Sequence, residues 1–196
     1  MIIAITSERL LIGEFKLIKK LFSNGLDLLH IRKHQLDNQV MREYIKTIPK
    51  KNRKQLVLHS HRYLAEELGI QRLHFSEADR GSKKHLGFKN KYILSTSTHS
   101  IDSFNGLSNS WAYAFLSPIF PSISKPGYGY PNAILHQLKN KNNPHVHLIG
   151  LGGINEYNYR QLKDEGAHGG ALLGSIWLNK HPLKTLLTCK KIDRLY

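Results

Sequence analysis

Leu148-Ile149-Gly150-Leu151-Gly152-Gly153-Ile154-Asn155, followed some fourteen residues later by Gly169-Gly170-Ala171-Leu172-Leu173-Gly174-Ser175, decides the fold. In each segment an apolar run of strand length ends in glycine and leads into a helical stretch, Glu156 to Glu165 after the first and Ser175 to Leu187 after the second. That succession is the βα unit of a parallel sheet. Glycine lets a backbone approach a ligand and turn its N–H groups toward it, so Gly152, Gly153, Gly174 and Ser175 are candidates for holding a phosphate.

The same alternation extends back to the N-terminus. Further strands are expected at Ile2 to Thr6, Leu28 to Arg32, Gln55 to His59, Arg72 to Phe75, Tyr92 to Thr96 and Ala112 to Ser117. With Val146 to Gly150 and Gly170 to Leu173 they make eight. Helices are expected at Glu14 to Ser23, Asn38 to Ile48, His61 to Leu68, Ile101 to Leu107 and Asn132 to Lys139, while the basic stretch Ala78 to Lys91 takes no full helix. Gly69 and Gly166 each stand just past a helical stretch, as helix-ending glycines do. Eight strands with their connections in 196 residues imply a compact, single-domain (β/α)8 TIM barrel over residues 1–196, rather than an open sheet of five or six strands. In a barrel the seventh and eighth βα loops lie side by side at the C-terminal face, where phosphate usually binds.

Composition narrows the partners. Lys plus Arg number 29 against 14 Asp plus Glu, a net charge of +15, which attracts anions: RNA, a membrane surface or phosphorylated metabolites. The longest apolar runs are far shorter than the roughly 20 residues of a membrane span, so no membrane partner is expected. Met1 leads straight into an apolar run without a basic leader segment, and a lone Cys189 forms no internal disulfide; both fit the cytoplasm. The basic clusters at Lys50 to Lys54, Lys83 to His85 and Lys139 to Lys141 are scattered over connections, not interleaved with stacking aromatics, so no nucleic acid is expected.

Chemistry-bearing residues gather at strand ends. Alternation along Leu29-His30-Ile31-Arg32-Lys33-His34 sends His30, Arg32 and His34 to one side of the second strand, and an inward arginine calls for an anion or an internal acid. His59 and His74 end the third and fourth strands. The 12 histidines include no His-Glu-x-x-His spacing, so a dedicated zinc site is not expected. The hydroxyl run around Ser97 ends the fifth strand, and Lys125 lies in the long Pro- and Gly-containing loop after the sixth, the kind of loop that covers a barrel mouth.

Taken in order, these pieces resemble the thiamine phosphate synthase and TenI family of small barrels from about Ile2 to Trp177. The most specific parts are Ser-Pro-Ile-Phe-Pro-Ser-x-Ser-Lys ending at Lys125, Leu-Gly-Gly-Ile at Leu151 to Ile154, Gly-Ala-x-Gly-Gly-Ala from Gly166 to Ala171, and the spacing of His59, Ala65, Gly69 and His74. The resemblance implies thiamin biosynthesis on small phosphorylated substrates, and a homodimer is among the assemblies it implies. A synthase joins hydroxymethylpyrimidine diphosphate to a thiazole phosphate with Mg²⁺. The pyrophosphate would then lie on Arg32, Ser97 and Lys125, and the thiazole phosphate on Gly152, Gly153, Gly174 and Ser175.

Three departures bear on the reaction. His34 replaces a diphosphate-binding lysine, and His59-Ser60 replaces an Asn-Asp pair, leaving Asp79 as the one matching metal ligand. Mg²⁺ prefers carboxylate oxygen to imidazole, so the sequence favours TenI-like tautomerase chemistry, with proton transfer by His30, His34, His59 or His74. Pro118 occupies the position of the tautomerase histidine. A divergent synthase is the alternative, and a catalytically silent regulatory or RNA-binding barrel is the reading of another class.

Overall fold

The computed structural model describes residues 1–121 and 134–196. Eight parallel strands close into a barrel in sequence order: β1 (Ile2–Ile5), β2 (Leu28–Ile31), β3 (Leu56–Leu58), β4 (Arg72–Phe75), β5 (Ile93–Thr98), β6 (Tyr113–Leu116), β7 (His147–Leu151) and β8 (Gly169–Leu172). The helices outside it are α1 (Glu14–Ser23), α2 (Asn38–Lys46), α3 (Leu64–Leu68), α4 (Glu77–Gly81), α5 (Ile101–Asn105), α6 (Tyr159–Asp164), α7 (Gly174–Trp177) and α8 (Pro182–Asp193). No helix among the described residues is long and apolar enough to cross a membrane.

Alternation along each strand divides the apolar residues into two cores. Ile2, Ala4, Leu29, Ile31, Leu56, Leu58, Leu73 and Phe75 point outward into the layer under the helices. Ile3, Ile5, Leu28, Val57, Tyr113, Phe115, Ile149 and Ala171 fill the barrel itself. The strands thus carry apolar side chains on both faces over much of their length, as buried parallel strands do.

The differences from the expected elements have local causes. The expected helix Ser175 to Leu187 is two helices, α7 ending at Trp177 and α8 starting at Pro182, whose missing amide hydrogen and fixed φ suit the first position of a helix. The segment Asn132 to Lys139 falls partly outside the described residues, and its described part is a 3₁₀ helix, Leu135–Asn140. Within the basic stretch Ala78 to Lys91, α4 begins under a Ser76 side-chain cap on the Asp79 amide and ends at Gly81. Gly69 and Gly166 both take a left-handed φ, +70° and +93°.

One buried ion pair fixes the mouth beside β2. The Lys33 side chain, 0% exposed, meets Glu14 of α1 at 2.9 Å and donates to the Arg9 carbonyl at 2.8 Å, while Tyr44 donates to Glu14 at 2.8 Å. Removing one member of such a pair would leave an uncompensated buried charge, at about 3–5 kcal/mol. With Lys33 anchored, its neighbours Arg32 and His34 are held at the rim.

Candidate active site

The C-terminal ends of β2 to β5 surround a cavity of about 560 Å³ whose lining includes Arg32, His34, His59, Arg62, His74, Asp79 and Ser97. Ile5, Phe115 and Leu151 add apolar surface from the opposite strands. Of the sequence-predicted residues, Arg32, His34, His59, His74, Ser97 and Asp79 therefore share one hollow. His30 lies fully buried behind His59.

The strands decide these depths. β2 ends at Ile31, so only His30 of the expected inward trio belongs to the strand. Arg32 is half-buried and His34 exposed, both on the turn beyond it. Arg32 donates its backbone N–H to Thr6 Oγ1 at 2.9 Å, and its Nε lies 3.4 Å from Glu8, a residue the sequence did not single out. That Nε is buried and makes no hydrogen bond among the described residues. Glu8 is occupied mainly by His34, whose N–H and ring nitrogen meet it at 2.5 and 3.2 Å. Burial raises the Glu8 carboxyl, but the His34 hydrogen bonds outweigh that and leave its pKa below the usual value.

His30, His59 and His74 touch one another. His30 Nδ1 and His59 Nε2 share a hydrogen bond of 2.9 Å, His30 Nε2 meets the Tyr113 hydroxyl at 2.7 Å, and the His59 and His74 rings stack with centroids 4.2 Å apart. His74 Nδ1 and Nε2 meet Ser95 Oγ and Ser97 Oγ, each at 3.0 Å. The Ser95 hydroxyl donates to the Leu73 carbonyl at 3.4 Å, so it accepts from His74 Nδ1–H and leaves the lone pair on Nε2, toward the cavity. Burial, then the charge of His74 and, for His59, of His30, His34 and Arg32, lowers the His30 and His59 rings well below 6.5. Burial and the Arg62 cation push His74 down to about 3, against the opposing pull of Asp79. All three rings are neutral at pH 7.

Asp79 does not stand free to take a metal. Its two oxygens meet Arg62 at 2.7 Å and Lys84 at 3.1 Å. Burial raises its carboxyl and these two hydrogen-bonded cations lower it more, below its usual value. Arg62 also donates to the carbonyls of His59 and His74 at 3.1 and 3.2 Å and lies over the Phe75 ring, 4.2 Å from its centroid. It braces the ends of β3 and β4 from the position just after His59-Ser60-His61, a role that no local sequence signal marks. Asp79 is the only carboxylate among the described residues lining the cavity, and the other donors are imidazoles and hydroxyls. The set does not fit Mg²⁺, a hard ion that takes carboxylate, phosphate and water oxygens.

The phosphate-loop candidates divide. Gly152 and Gly153 have φ of +101° and +63°, and a Cβ added at Gly153 would collide with the Pro121 carbonyl and come within 2.7 Å of Phe120 Cβ. Their smallness admits the segment after β6, which donates from Ile119 to Leu151 O at 2.9 Å and from Phe120 to Gly152 O at 3.1 Å. Gly174 and Ser175 line a neighbouring hollow of about 570 Å³ with Lys180 and Lys184, separate from the histidine cavity. The Ser175 hydroxyl is buried there without a hydrogen-bond partner among the described residues. Lys125 lies outside the described residues.

A closed parallel (β/α)8 barrel with a cationic, histidine-lined cavity at the C-terminal ends of its strands defines a compact TIM-barrel protein with an enzyme-type site. The family model described as Thiamine monophosphate synthase matches residues 2–176, and the chain belongs to that family of thiamin biosynthesis. The chain is 30% identical over 120 residues to a thiamine-phosphate synthase of Listeria monocytogenes, covering 58% of this chain and 55% of that one. It thus spans about half the length of the first curated relatives it matches. A thiamine-phosphate synthase of Caldicellulosiruptor bescii is 26% identical over 169 residues, 74% of this chain and 75% of the relative. Among solved structures, a thiamine phosphate pyrophosphorylase from Bacteroides thetaiotaomicron superposes with a TM-score of 0.77 at 26% identity, covering 99% of this chain and 98% of that one. One from Pyrococcus furiosus shares the fold, with a TM-score of 0.81 at 17% identity over 99% and 95% of the two chains.

Proposed function

We propose that this chain is a C–N bond-forming enzyme of the thiamine-phosphate synthase type, joining hydroxymethylpyrimidine diphosphate to a thiazole phosphate. The names of its relatives favour this alternative over the tautomerase chemistry that the sequence favoured. The observation that carries the reading is Arg32. Its buried Nε, 3.4 Å from Glu8 but without a hydrogen bond among the described residues, belongs to a cavity that also offers the apolar surfaces of Ile5, Phe115 and Leu151, so a cation for a diphosphate and a seat for a flat ring lie in one hollow.

In this reading the bond from the pyrimidine methylene carbon to the diphosphate oxygen breaks, and its electron pair leaves with the diphosphate. Arg32 offsets the charge that develops there. Positive charge gathers on the methylene carbon, and the lone pair of the thiazole nitrogen attacks it, forming the C–N bond. Three neutral imidazoles suit that moment: charged rings would repel the developing cation, whereas the π faces of Phe115 and His74 attract it. The thiazole's phosphate does not react, and the hollow of Ser175, Lys180 and Lys184 has the donors to hold it. No step is assigned to Mg²⁺.

Proton transfer of the TenI kind is the second reading, favoured by the continuous chain His59–His30–Tyr113 with links of 2.9 and 2.7 Å. Rings held so far below neutral are weak general bases, which places it second. Incubating the purified protein with both synthase substrates should release thiamin phosphate and pyrophosphate in equal amounts. Turnover of a thiazole carboxylate phosphate tautomer with no thiamin phosphate formed would replace the first reading by the second.

A further inference from the structure

Nothing in the spacing of His30, His59 and His74 along the chain suggests a metal site, because the three come from three successive strands. The closed barrel nevertheless brings one nitrogen of each to within 4.8 Å of the other two. A tetrahedral ion with Zn–N bonds of about 2.0–2.1 Å needs nitrogens about 3.4 Å apart. His30 Nδ1 and His59 Nε2 stand at 2.9 Å and the whole set within 4.8 Å, so binding requires the first two to part by about 0.5 Å and the stacked His59 and His74 rings to turn until their lone pairs converge.

The surroundings of the rings are those of ligands. His30 is held through its other nitrogen by the Tyr113 hydroxyl, and His74 is braced on Nδ1 by Ser95 while its Nε2 lies on Ser97, a hydroxyl contact it would exchange for the ion. Metal-binding histidines are oriented in this way, by a hydrogen bond on the ring nitrogen away from the ion. His59 is half-buried on the cavity side of the cluster, so a fourth position opens toward a hollow that a water or a phosphate oxygen can enter. Arg62, which meets the His59 and His74 carbonyls, is offset by its ion pair with Asp79.

We propose that His30, His59 and His74 form a three-nitrogen site for a borderline divalent cation of the Zn²⁺ or Co²⁺ type, with its open coordination position facing the cavity. The cation takes the place of the hydrogen shared by His30 Nδ1 and His59 Nε2. His59 shifts its proton to Nδ1 as needed, and all three rings bind neutral, so no proton need be released. The donor set explains the choice of ion: imidazole suits Zn²⁺, Co²⁺ and Ni²⁺, whereas Mg²⁺ retains water and carboxylate oxygen. The proposal does not rest on the synthase reading, and the ion-loaded protein is a different state from the synthase-competent one, because a divalent cation on the three rings would repel the positive charge that gathers on the methylene carbon.

The test uses untagged full-length protein stripped with a chelator and titrated with Co²⁺, followed by visible absorption, with Zn²⁺ and Mg²⁺ as competitors. One equivalent should bind with the intense band of a four- or five-coordinate ion, Zn²⁺ should displace it, and excess Mg²⁺ should leave it unchanged. His59→Ala should weaken binding by more than about 100-fold, since loss of an outer partner alone costs about 10–100-fold, and Ser95→Ala should fall within that smaller range. His34→Ala should bind as the parent does; its ring is exposed and its centroid is 6.3 Å from that of His59. His59 is half-buried, so its variant is the one expected to fold, and circular dichroism checks that it has. The absence of a saturable band, displacement by Mg²⁺, equal affinity in folded His59→Ala, or an equal loss in His34→Ala would each overturn the assignment.

Discussion

The two halves of the barrel interior are built from opposite chemistry. From β7 through β8 to β1 the inward residues are Ile149, Leu151, Ala171, Ile3 and Ile5, an apolar wall. From β2 through β5, beyond Leu28 and Val57 toward the C-terminal ends of the strands, they are His30, His74, Ser95 and Ser97, with His59 at the mouth and Tyr113 of β6 closing the set. The apolar half gains stability from burial. The polar half holds rings that desolvation keeps neutral and that are satisfied by one another, so much of its stability depends on each hydrogen bond being made. Stability and chemistry are thus assigned to different sides of one small barrel.

Acid is the sharpest way to break that contrast. In the unfolded chain the three histidines titrate near 6.5, while in the folded protein their pKa values are lower, so below pH 6.5 the unfolded state binds more protons. Their contribution is fully present above the unfolded value and is lost as pH falls toward the folded one. Arg72, Arg62, Arg32 and His34 face these rings and reinforce the shift, and only Asp79 opposes it. Chelator-treated protein should lose about 1.4 kcal/mol per pH unit for each ring below pH 6.5, or on the order of 4 kcal/mol per unit for three. Urea midpoints at pH 7 and 5.5 measure it, and a flat profile would mean the rings are already hydrated.

Ile149→Ala probes the other half and should cost about 2–5 kcal/mol in the same urea experiment, with the pH slope unchanged. Arg32→Ala sharpens the division between stability and function. Its half-buried side chain makes only a weak pair with Glu8, so the midpoint should stay within about 0.5 kcal/mol. Synthase kcat/KM should fall on the order of 100-fold, about 2.7 kcal/mol, as charge stabilisation of the leaving diphosphate is lost. A large loss of stability with activity intact would reverse the role assigned to Arg32.

The strands were readable because each carries its own local signal. Apolar runs and the left-handed Gly69 and Gly166 belong to single segments, and eight such runs are enough to imply closure. Arg62 and Glu8 were not readable. Arg62 acts through Asp79, 17 residues later, and Glu8 through His34, 26 residues later, on loops whose approach no local pattern encodes. The Gly152-Gly153 turn shows the same limit from the other side. Its glycines signal close approach, and the chain that approaches is the segment after β6.

By itself the sequence determined the alternation of strand and helix, the placement of histidines at strand ends and the family, because periodicity and motif are properties of contiguous residues. Only the tertiary structure decided that His30, His59 and His74 meet. Val57 pairs with Arg72 and Leu58 with Leu73, a register that brings His59 level with His74, while His30 pairs with Val57 one strand before. A slip of one residue would turn these side chains to the other face of the sheet. That register is fixed by the shear of barrel closure and by packing on both faces, terms that exist only once all eight strands are in place.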